Sequence, residues 1–144
     1  LIPATGLQVQ FVGGMEVTMD GVPVDPADHT VYRGMMLSNV PNLVITFGYT
    51  NASWTLKADL TADYVCRLVN RMKKNGNDMV VAELGPEGVE EGNLLGLSSG
   101  YLQRAKHLLP KAGTAKPWKN HENYVSDMMS IRYGSMDDGV LAFS

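Results

Sequence analysis

The sequence has few of the features that disulfide-bonded, membrane-spanning or nucleic-acid-binding proteins require. Its single cysteine, Cys66, cannot form a disulfide within the chain, so we expect a reducing, cytoplasmic setting. No apolar run approaches the length of a transmembrane helix, and no signal-peptide pattern is visible. The net charge of −3 gives no reason to expect a nucleic acid as a partner.

Motifs of phosphate-binding and metal-dependent enzymes are also missing. No G-x-G-x-x-G fingerprint occurs, and no cysteine–histidine arrangement for nucleophilic catalysis is present. The three histidines, His29, His107 and His121, are too scattered to match a zinc or facial-triad spacing. We therefore predict no catalytic residue and no metal ligand within these 144 residues.

What the sequence does contain is an ordinary globular composition, with 44% apolar and 19% charged residues. A chain of 144 residues has the length of one domain and can bury about two-thirds of its unfolded surface. Short apolar segments, glycine-rich turns and helical patterns alternate along it, which predicts a mixed α+β structure.

The most informative stretch is an apolar segment that leads through a glycine into a long helical pattern. Residues 42–47 are rich in β-branched and aromatic residues, and their continuous apolar run at 43–47 predicts a buried parallel strand. Gly48 then permits a sharp turn or a close approach to a ligand. The side chains of Thr50, Asn51 and Ser53 can each cap a helix, which we predict over residues 54–74.

The predicted helix carries two apolar stripes at helical spacing. The first consists of Leu56, Leu60, Tyr64, Leu68 and Met72, and the second of Ala58, Ala62, Val65 and Val69. Cys66 is therefore interpreted as an inert core thiol. Lys57 and Asp59 are interpreted as surface groups, because residues two positions apart face different ways on a helix. Asn75 and Gly76 are expected to end the helix.

Shorter elements flank this helix. Asp20 and Gly21 lie between alternating residues and predict a β-hairpin with a type I′ turn. Arg33 is interpreted as a solvated or ion-paired surface group, because arginine is seldom fully buried. Periodicity predicts a strand at 78–83, short helices at 101–109 and 121–131, and an apolar end at 140–143. The second of these helices presents Tyr124, Met128 and Ile131 on one inner face.

The junction at Gly48 has two interpretations. A strand–glycine–helix unit points several backbone N–H groups and the positive end of the helix dipole at one place, which suits an anionic or electron-rich ligand. In the purely structural alternative, Gly48 only turns the chain, and Asn51 or Ser53 only caps the helix. Spacing alone does not separate the two, because short glycine motifs have low specificity.

The identities of the residues are more specific than their spacing. The run GYTNASWTLKADL at residues 48–60 resembles the flavin-containing monooxygenases of Baeyer–Villiger type, as do YRGMMLS at 32–38 and VPNL at 40–43. The Ala-Thr-Gly segment within residues 1–7 is similar to the one that leads back into that family's flavin domain. The pairs at 117–118 and 123–124 are similar to the C-terminal tail of one subgroup. The resemblance covers nearly the whole chain, but only the C-terminal part of such an enzyme.

This resemblance implies a fold and a set of cofactor contacts. Residues 1–76 would be the end of a three-layer α/β domain that binds FAD and NAD(P), and residues 77–144 would be a mixed extension with short helices packed on it. The chain begins as if inside a strand, so we expect an α+β fragment of a longer protein. The residues implied to contact the cofactor are Thr5, Gly6, Gly48, Asn51, Ser53, Trp54, Thr55 and Leu56.

The resemblance also implies a function. The parent protein would be a monooxygenase that uses FAD and NADPH to transfer one oxygen atom from O2 to a ketone or a soft heteroatom such as sulfur. The family's glycine-rich fingerprints and catalytic arginine would lie upstream, so the chain alone is predicted to be inactive. We also expect homo-oligomers that form through an exposed strand edge at 43–47.

The alternative to an enzyme fragment is a non-enzymatic protein-interaction module that uses a similar strand–helix unit to recruit a partner chain. The two differ in what the parent gene encodes. Two G-x-G-x-x-G segments ahead of Leu1 would indicate the enzyme, and a gene that starts near Leu1 would indicate the module.

Overall fold

A helix of 22 residues, α1 (Trp54–Asn75), is the element on which the fold is assembled. The computed structural model describes residues 9–92, 94 and 100–144, with the backbone alone for 100–102. Gly76 ends α1 in a left-handed conformation with a φ of 71°, and Lys73 and Lys74 in the last turn complement the helix dipole. The predicted helix is therefore confirmed to within one residue at its end.

The buried face of α1 contains most of the first predicted stripe, because Leu60, Tyr64 and Leu68 are buried and Met72 packs against the core, but not the second stripe. Its buried residues are Lys57, Leu60, Thr61, Tyr64 and Leu68. Leu56 and Val69 are 38% and 39% exposed, and Ala62 and Cys66 are exposed as well. The second stripe, the core position of Cys66 and the surface position of Lys57 were wrong predictions. The reason is that the described chain packs against one narrow face of α1, so apolar residues beyond that face remain in solvent.

In the described ranges the strands are short and form four separate two-stranded antiparallel pairs. The pairs are β1 (Thr18–Met19) with β2 (Val22–Pro23), β3 (Val31–Tyr32) with β4 (Met36–Leu37), β5 (Val80–Ala82) with β8 (Leu141–Phe143), and β6 (Glu91–Gly92) with β7 (Ala112–Gly113). The result is a small mixed α+β domain. The predicted strand at 78–83 and the apolar end at 140–143 are confirmed, and the two pair with each other.

The β1–β2 hairpin follows from its turn residues. Asp20 and Gly21 have φ angles of 52° and 80°, and two successive positive values are what a type I′ turn requires. Pro23 lies opposite Thr18 and has no N–H to donate, so it is tolerated in this two-stranded edge. The hairpin prediction is confirmed.

The predicted strand at 42–47 is not formed. Val44 makes only a single bridge, to Met36, and that bridge is antiparallel. Asn42 adopts a φ of 57°, its side chain accepts from the Val80 N–H at 3.0 Å, and its amide donates to the Asp78 carbonyl at 3.1 Å. A left-handed residue held in this way interrupts the extended run at its first position. No parallel neighbour among the described residues pairs with the rest of the segment, which is half-buried.

Arg33 connects the turn between β3 and β4 to the C-terminal segment, and its side chain is only 8% exposed. Its guanidinium donates to the Asp138 carboxylate at 2.9 Å, to the Tyr32 hydroxyl at 2.8 Å and to the Ser130 carbonyl at 2.5 Å. Burial by itself would raise the pKa of Asp138, but the hydrogen bonds from Tyr32 and Arg33 lower that pKa below its ordinary value. Arg33 is ion-paired, as one of the two predicted alternatives had it, but its predicted surface position is wrong, because these partners offset the desolvation of its buried guanidinium.

In the C-terminal half, the helix and the helical turn over residues 124–132 pack against α1. Helix α2 (Gly100–Ala105) continues into a 3₁₀ turn at Lys106–Leu108. Helix α3 (Tyr124–Asp127) continues into a π-helical turn at Met128–Arg132. The predicted inner face of α3 is confirmed, since Ile131 is 1% exposed and Tyr124 and Met128 pack against the core. Arg67 of α1 donates to the carbonyls of Ile131 and Arg132 at 2.8 and 2.6 Å and so satisfies the end of this helix.

Two apolar clusters make up the core of that part of the chain which the structure describes. The larger lies between α1 and the C-terminal segment and contains Tyr32, Met35, Met36, Leu60, Tyr64, Leu68, Val80, Ala82, Trp118, Ile131 and Met136. The smaller lies beneath residues 43–47 and contains Val31, Leu37, Val40, Leu94, Leu109 and Ala112. The segment at 43–47 thus packs over the smaller cluster and leads directly to the start of α1.

Candidate cofactor-binding cleft

An open cleft of about 480 Å³ lies where the 43–47 segment reaches α1. One wall is formed by residues 9–13 and the other by residues 45–50, and Trp54 and Leu109 complete it. Its lining is mainly apolar, and the polar residues in it are Gln10, Thr46, Tyr49 and Thr50. This volume lies within the range that is usual for small-molecule pockets, so the cleft can hold part of an aromatic ligand.

Three aromatic rings form a row along this cleft. The ring of Phe47 lies 5.9 Å from that of Phe11 and 6.2 Å from that of Trp54, between centroids. These separations are typical of favourable aromatic pairs. Trp54 is the first residue of α1 and is 59% exposed, so its indole presents a large apolar surface at the start of the helix.

Gly48 is needed for the position of Trp54. A Cβ placed on Gly48 would lie 2.1 Å from Cδ2 of the Trp54 ring, which is far inside any allowed contact. Since the φ of Gly48 is not in the left-handed region, the requirement is steric rather than conformational. The glycine therefore allows a close approach of the indole to the backbone, which is one of the two uses of glycine at such a junction.

The start of α1 carries no side-chain cap. Ser53 is the N-cap residue, but its hydroxyl pairs with the Thr55 hydroxyl at 2.7 Å instead of accepting from the backbone. Thr50 and Asn51 also make other contacts, so the expectation that one of these three residues caps the helix is wrong. The first-turn N–H groups of α1 thus receive no side chain among the described residues; that of Leu56 donates to the Ser53 carbonyl at 3.2 Å, and the others lie at the positive end of the helix dipole.

The turn between Gly48 and α1 is held by a segment more than seventy positions later. The Tyr49 hydroxyl donates to the Asp127 carboxylate at 2.8 Å. The Thr50 N–H donates to the Glu122 carboxylate at 3.1 Å, and the Thr50 hydroxyl donates to the same oxygen. The Asn51 amide donates to the Glu122 carbonyl at 3.1 Å. Three consecutive residues are thus each tied to residues 122–127.

Beneath this turn lies a buried ion pair. The Lys57 ammonium lies 2.5 Å from the Asp127 carboxylate, and the two side chains are 2% and 4% exposed. Both Lys57 and Tyr49 bond to the same oxygen of Asp127, and the Lys57 nitrogen lies 5.6 Å from the centre of the Tyr49 ring. Burial raises the pKa of the Tyr49 hydroxyl, and its hydrogen bond to Asp127 raises that pKa further. Tyr49 therefore remains protonated and continues to donate.

His121 borders the same cluster. Its Nε2 atom is buried and has no hydrogen-bond partner among the residues that the structure describes. Burial lowers the pKa of His121, and the nearby Asp127 carboxylate offsets part of this effect. The ring is therefore neutral at pH 7.

The predicted cofactor contacts fall into three groups. Gly48 and Trp54 line the cleft. The exposed residues beside it, which do not line it, are Asn51, Ser53, Thr55 and Leu56. Thr5 and Gly6 lie outside the described residues. Of the predicted cofactor contacts, the structure thus brings Gly48 and Trp54 together in the cleft. The other four described residues are exposed and belong to the same turn and the same helix start.

Glu122, Asp127 and Tyr49 were not predicted from the sequence. For Asp127 a signal existed: it lies three residues after Tyr124 and four before Ile131, on the inner face of the predicted helix, where a carboxylate requires a buried partner. No comparable signal marks Glu122, since its role depends on a contact with a distant turn.

The described part of the chain contains neither a metal-ion cluster nor a membrane-spanning helix. Across residues 9–92, 94 and 100–144, no three metal-ligating side chains come together. The helices within these ranges are too short or too polar to cross a bilayer.

Comparisons with known proteins identify relatives over the entire chain. FAD-containing monooxygenase EthA of Mycobacterium tuberculosis is 48% identical over 144 residues, which are 100% of this chain and 29% of the relative. This chain is homologous to part of the FAD-containing monooxygenases. The protein named "Probable FAD-binding monooxygenase AlmA" of an Acinetobacter species is 46% identical over 99% of the chain and 29% of its own length. EthA of Mycolicibacterium smegmatis is 44% identical over 100% and 29%.

The similarity to these monooxygenases includes the cleft, because it extends over essentially every residue of the chain. The chain spans 29% of the length of the relatives it matches. No family model and no solved structure matches it.

Proposed function

We propose that this chain is the C-terminal part of an FAD-dependent monooxygenase and that its cleft contacts the flavin. The observation that carries the proposal is the 44–48% identity to FAD-containing and FAD-binding monooxygenases along the whole chain. Under this proposal, residues 1–76 complete a three-layer FAD/NAD(P)-binding domain, and residues 77–144 pack on it.

The residues around the cleft fit one edge of FAD. Aromatic surface from Phe47 and Trp54 suits an isoalloxazine or adenine ring, and the uncapped N–H groups of α1 suit a pyrophosphate or a carbonyl-bearing pyrimidine edge. When bound, FAD supplies the redox chemistry that activates O2, which no side chain of this chain can supply. The chain's own residues bind and orient the cofactor and exclude water on the side of Trp54.

The finer part of the proposal concerns the contacts and the reaction. Gly48, Asn51, Ser53, Trp54, Thr55 and Leu56 contact the cofactor, together with Thr5 and Gly6. NADPH reduces the flavin, and the parent enzyme transfers one oxygen atom to a ketone, as in a Baeyer–Villiger reaction, or to a sulfur atom. The enzyme works in the cytoplasm.

The test uses the full-length protein that contains this chain. We expect it to be yellow as purified, to lose its visible flavin absorbance when NADPH is added without oxygen, and to oxidise a ketone or a thioether in air. The chain expressed by itself should be colourless and inactive. A full-length protein that neither holds nor binds FAD would overturn the proposal and favour the protein-interaction module. Reduction by NADH alone would contradict the assignment of NADPH.

The oligomeric state is a separate part of the proposal. Apart from the single bridge between Val44 and Met36, residues 43–47 pair with no strand among the described residues, so their backbone groups can pair with a second copy of the chain. We propose that the chain forms homo-oligomers at this segment. A single monomeric species in sedimentation at micromolar concentration would contradict this.

A further inference from the structure

The turn that follows Gly48 is positioned by side chains from the other half of the chain. Tyr49, Thr50 and Asn51 each direct a hydrogen bond to the segment at 122–127, at separations of 71–78 positions in sequence. Two of the three go to Glu122, one to its carboxylate and one to its carbonyl. A surface turn with no partner would have many accessible conformations, and these contacts select one.

Glu122 is itself held in place from the opposite side. Its second carboxylate oxygen accepts from the Asn120 amide at 3.3 Å, and Asn120 also donates to the Leu94 carbonyl at 2.5 Å. The carboxylate of Glu122 therefore joins Thr50 on one side and Asn120 on the other. Hydrogen bonds to an ionised carboxylate are about twice as strong as bonds between neutral groups.

The contact also determines which N–H groups a ligand can use. The Thr50 N–H is occupied by Glu122, whereas the N–H groups at the start of α1 receive no side chain from Ser53. An anionic or carbonyl-bearing ligand is therefore directed to the helix start next to Trp54 and away from the turn. A carboxylate at the turn strengthens this bias, because it repels an anion there.

We infer that Glu122 is a positioning residue for FAD, which keeps the turn in the conformation that leaves Trp54 and the start of α1 open to the cofactor. The inference rests on the proposed function. Glu122 acts through Thr50 and does not touch the cofactor. Asp127 supports the same turn through Tyr49, but its buried pairing with Lys57 makes it a poorer probe.

The experiment measures FAD affinity by titrating the apo form of the full-length protein and following flavin fluorescence. Glu122→Ala removes both carboxylate contacts, and we expect the dissociation constant for FAD to rise by about tenfold or more, the factor that corresponds to a lost hydrogen bond to a charged group. Glu122→Gln keeps an oxygen acceptor for Thr50 and should recover most of the lost affinity. The visible circular dichroism of bound flavin should change in Glu122→Ala and return toward that of the wild type in Glu122→Gln.

The chain offers a matched control. Glu90 accepts from the Thr114 hydroxyl at 3.0 Å, which is also a pairing of a glutamate with a threonine, but an exposed one. Glu90→Ala should leave FAD affinity and the flavin spectrum unchanged. An equal effect of Glu90→Ala and Glu122→Ala would overturn the inference.

A second comparison separates positioning from loss of stability. Val80→Ala creates a core defect in β5, which makes no hydrogen bond to the turn. If Val80→Ala and Glu122→Ala lower the melting temperature equally and weaken FAD equally, the role is only structural and the inference is wrong. If the wild type binds no FAD, the proposed function fails. If the wild type binds FAD and Glu122→Ala binds it as tightly, only the inference fails.

Discussion

The Cβ that Gly48 lacks would occupy a point 2.1 Å from Cδ2 of Trp54. The two residues are six positions apart, on either side of the turn that opens α1, and the contact brings the indole down onto the backbone at the rim of the cleft. The aromatic row of Phe11, Phe47 and Trp54 depends on this approach, because it sets the position of the exposed Trp54 ring beside Phe47.

Gly48→Ala is therefore expected to displace the Trp54 ring. Because Trp54 is 59% exposed, the ring can move into solvent, so the free energy of unfolding should change by less than about 1 kcal/mol. The near-ultraviolet circular dichroism and the acrylamide quenching of tryptophan fluorescence should both change. Gly85→Ala is the control, since a Cβ at Gly85 meets no atom within 4 Å and its φ is not positive. Identical spectra for the two variants would refute the steric role of Gly48.

The buried pair of Lys57 and Asp127 is expected to be the most sensitive polar contact of the site. Asp127→Asn leaves the Lys57 ammonium buried without a charged partner, which should lower the free energy of unfolding by about 3–5 kcal/mol. Replacing Lys57 by Met in the same variant should recover part of that loss, because the unpaired charge is removed. Urea denaturation of the three proteins measures this.

Asp137→Asn provides the matched control for Asp127→Asn. Asp137 pairs with Arg71, which like Lys57 belongs to α1. In this pair, however, the side chain of Asp137 is 76% exposed and that of Arg71 is 29% exposed. Its removal should change the free energy of unfolding by less than about 1 kcal/mol. Equal effects of the two substitutions would show that the Lys57–Asp127 pair is not buried in solution.

His121 is expected to make stability depend on pH. Burial lowers the pKa of its ring in the folded state below the value of about 6.5 for an unfolded chain, an effect to which Lys57, Lys116 and Lys119 add and which Asp127 opposes. Between these two pKa values the unfolded chain binds more protons, so stability rises with pH and falls as the pH decreases below about 6.5.

His121→Gln should remove this contribution. We expect the urea midpoint of the wild type to decrease more between pH 7.5 and pH 5 than that of the variant. The other two histidines are present in both proteins, so the difference between the two profiles reports His121 alone. Parallel profiles would mean that His121 is solvated and free to titrate.

Cys66 should react rapidly with a thiol reagent in the folded protein, because it lies on the exposed face of α1. Ellman's reagent in buffer without denaturant should modify one thiol per chain, and urea should not increase the rate greatly. Protection that disappears only in urea would restore the core position predicted from the helical stripe. Substitution by Ser should leave the melting temperature nearly unchanged, as for other surface positions.

Local patterns were sufficient for the elements that local chemistry controls. The 22 residues of α1 follow from apolar spacing and a terminal glycine, and the β1–β2 hairpin follows from the Asp20-Gly21 turn. The residue identities of 48–60 by themselves indicate the monooxygenase family, and whole-chain identity to EthA and AlmA supports that indication. The helix and the hairpin depend only on residues that are close in sequence, and the family assignment depends only on residue identities.

Long-range contacts determined the features of the fold and of the site that local patterns did not predict. Periodicity correctly placed Leu60, Tyr64 and Leu68 on the buried face of α1, but it did not place Lys57 there. Charge statistics put lysine at the surface, and Lys57 is buried only because Asp127, 70 positions later in the sequence, pairs with it. Likewise, residues 42–47 have the composition of a strand but no neighbouring strand among the described residues to form a ladder with, and Glu122 has no local signal. A strand, a buried charge and an anchored turn each need a second group, and only the folded chain brings that group into contact.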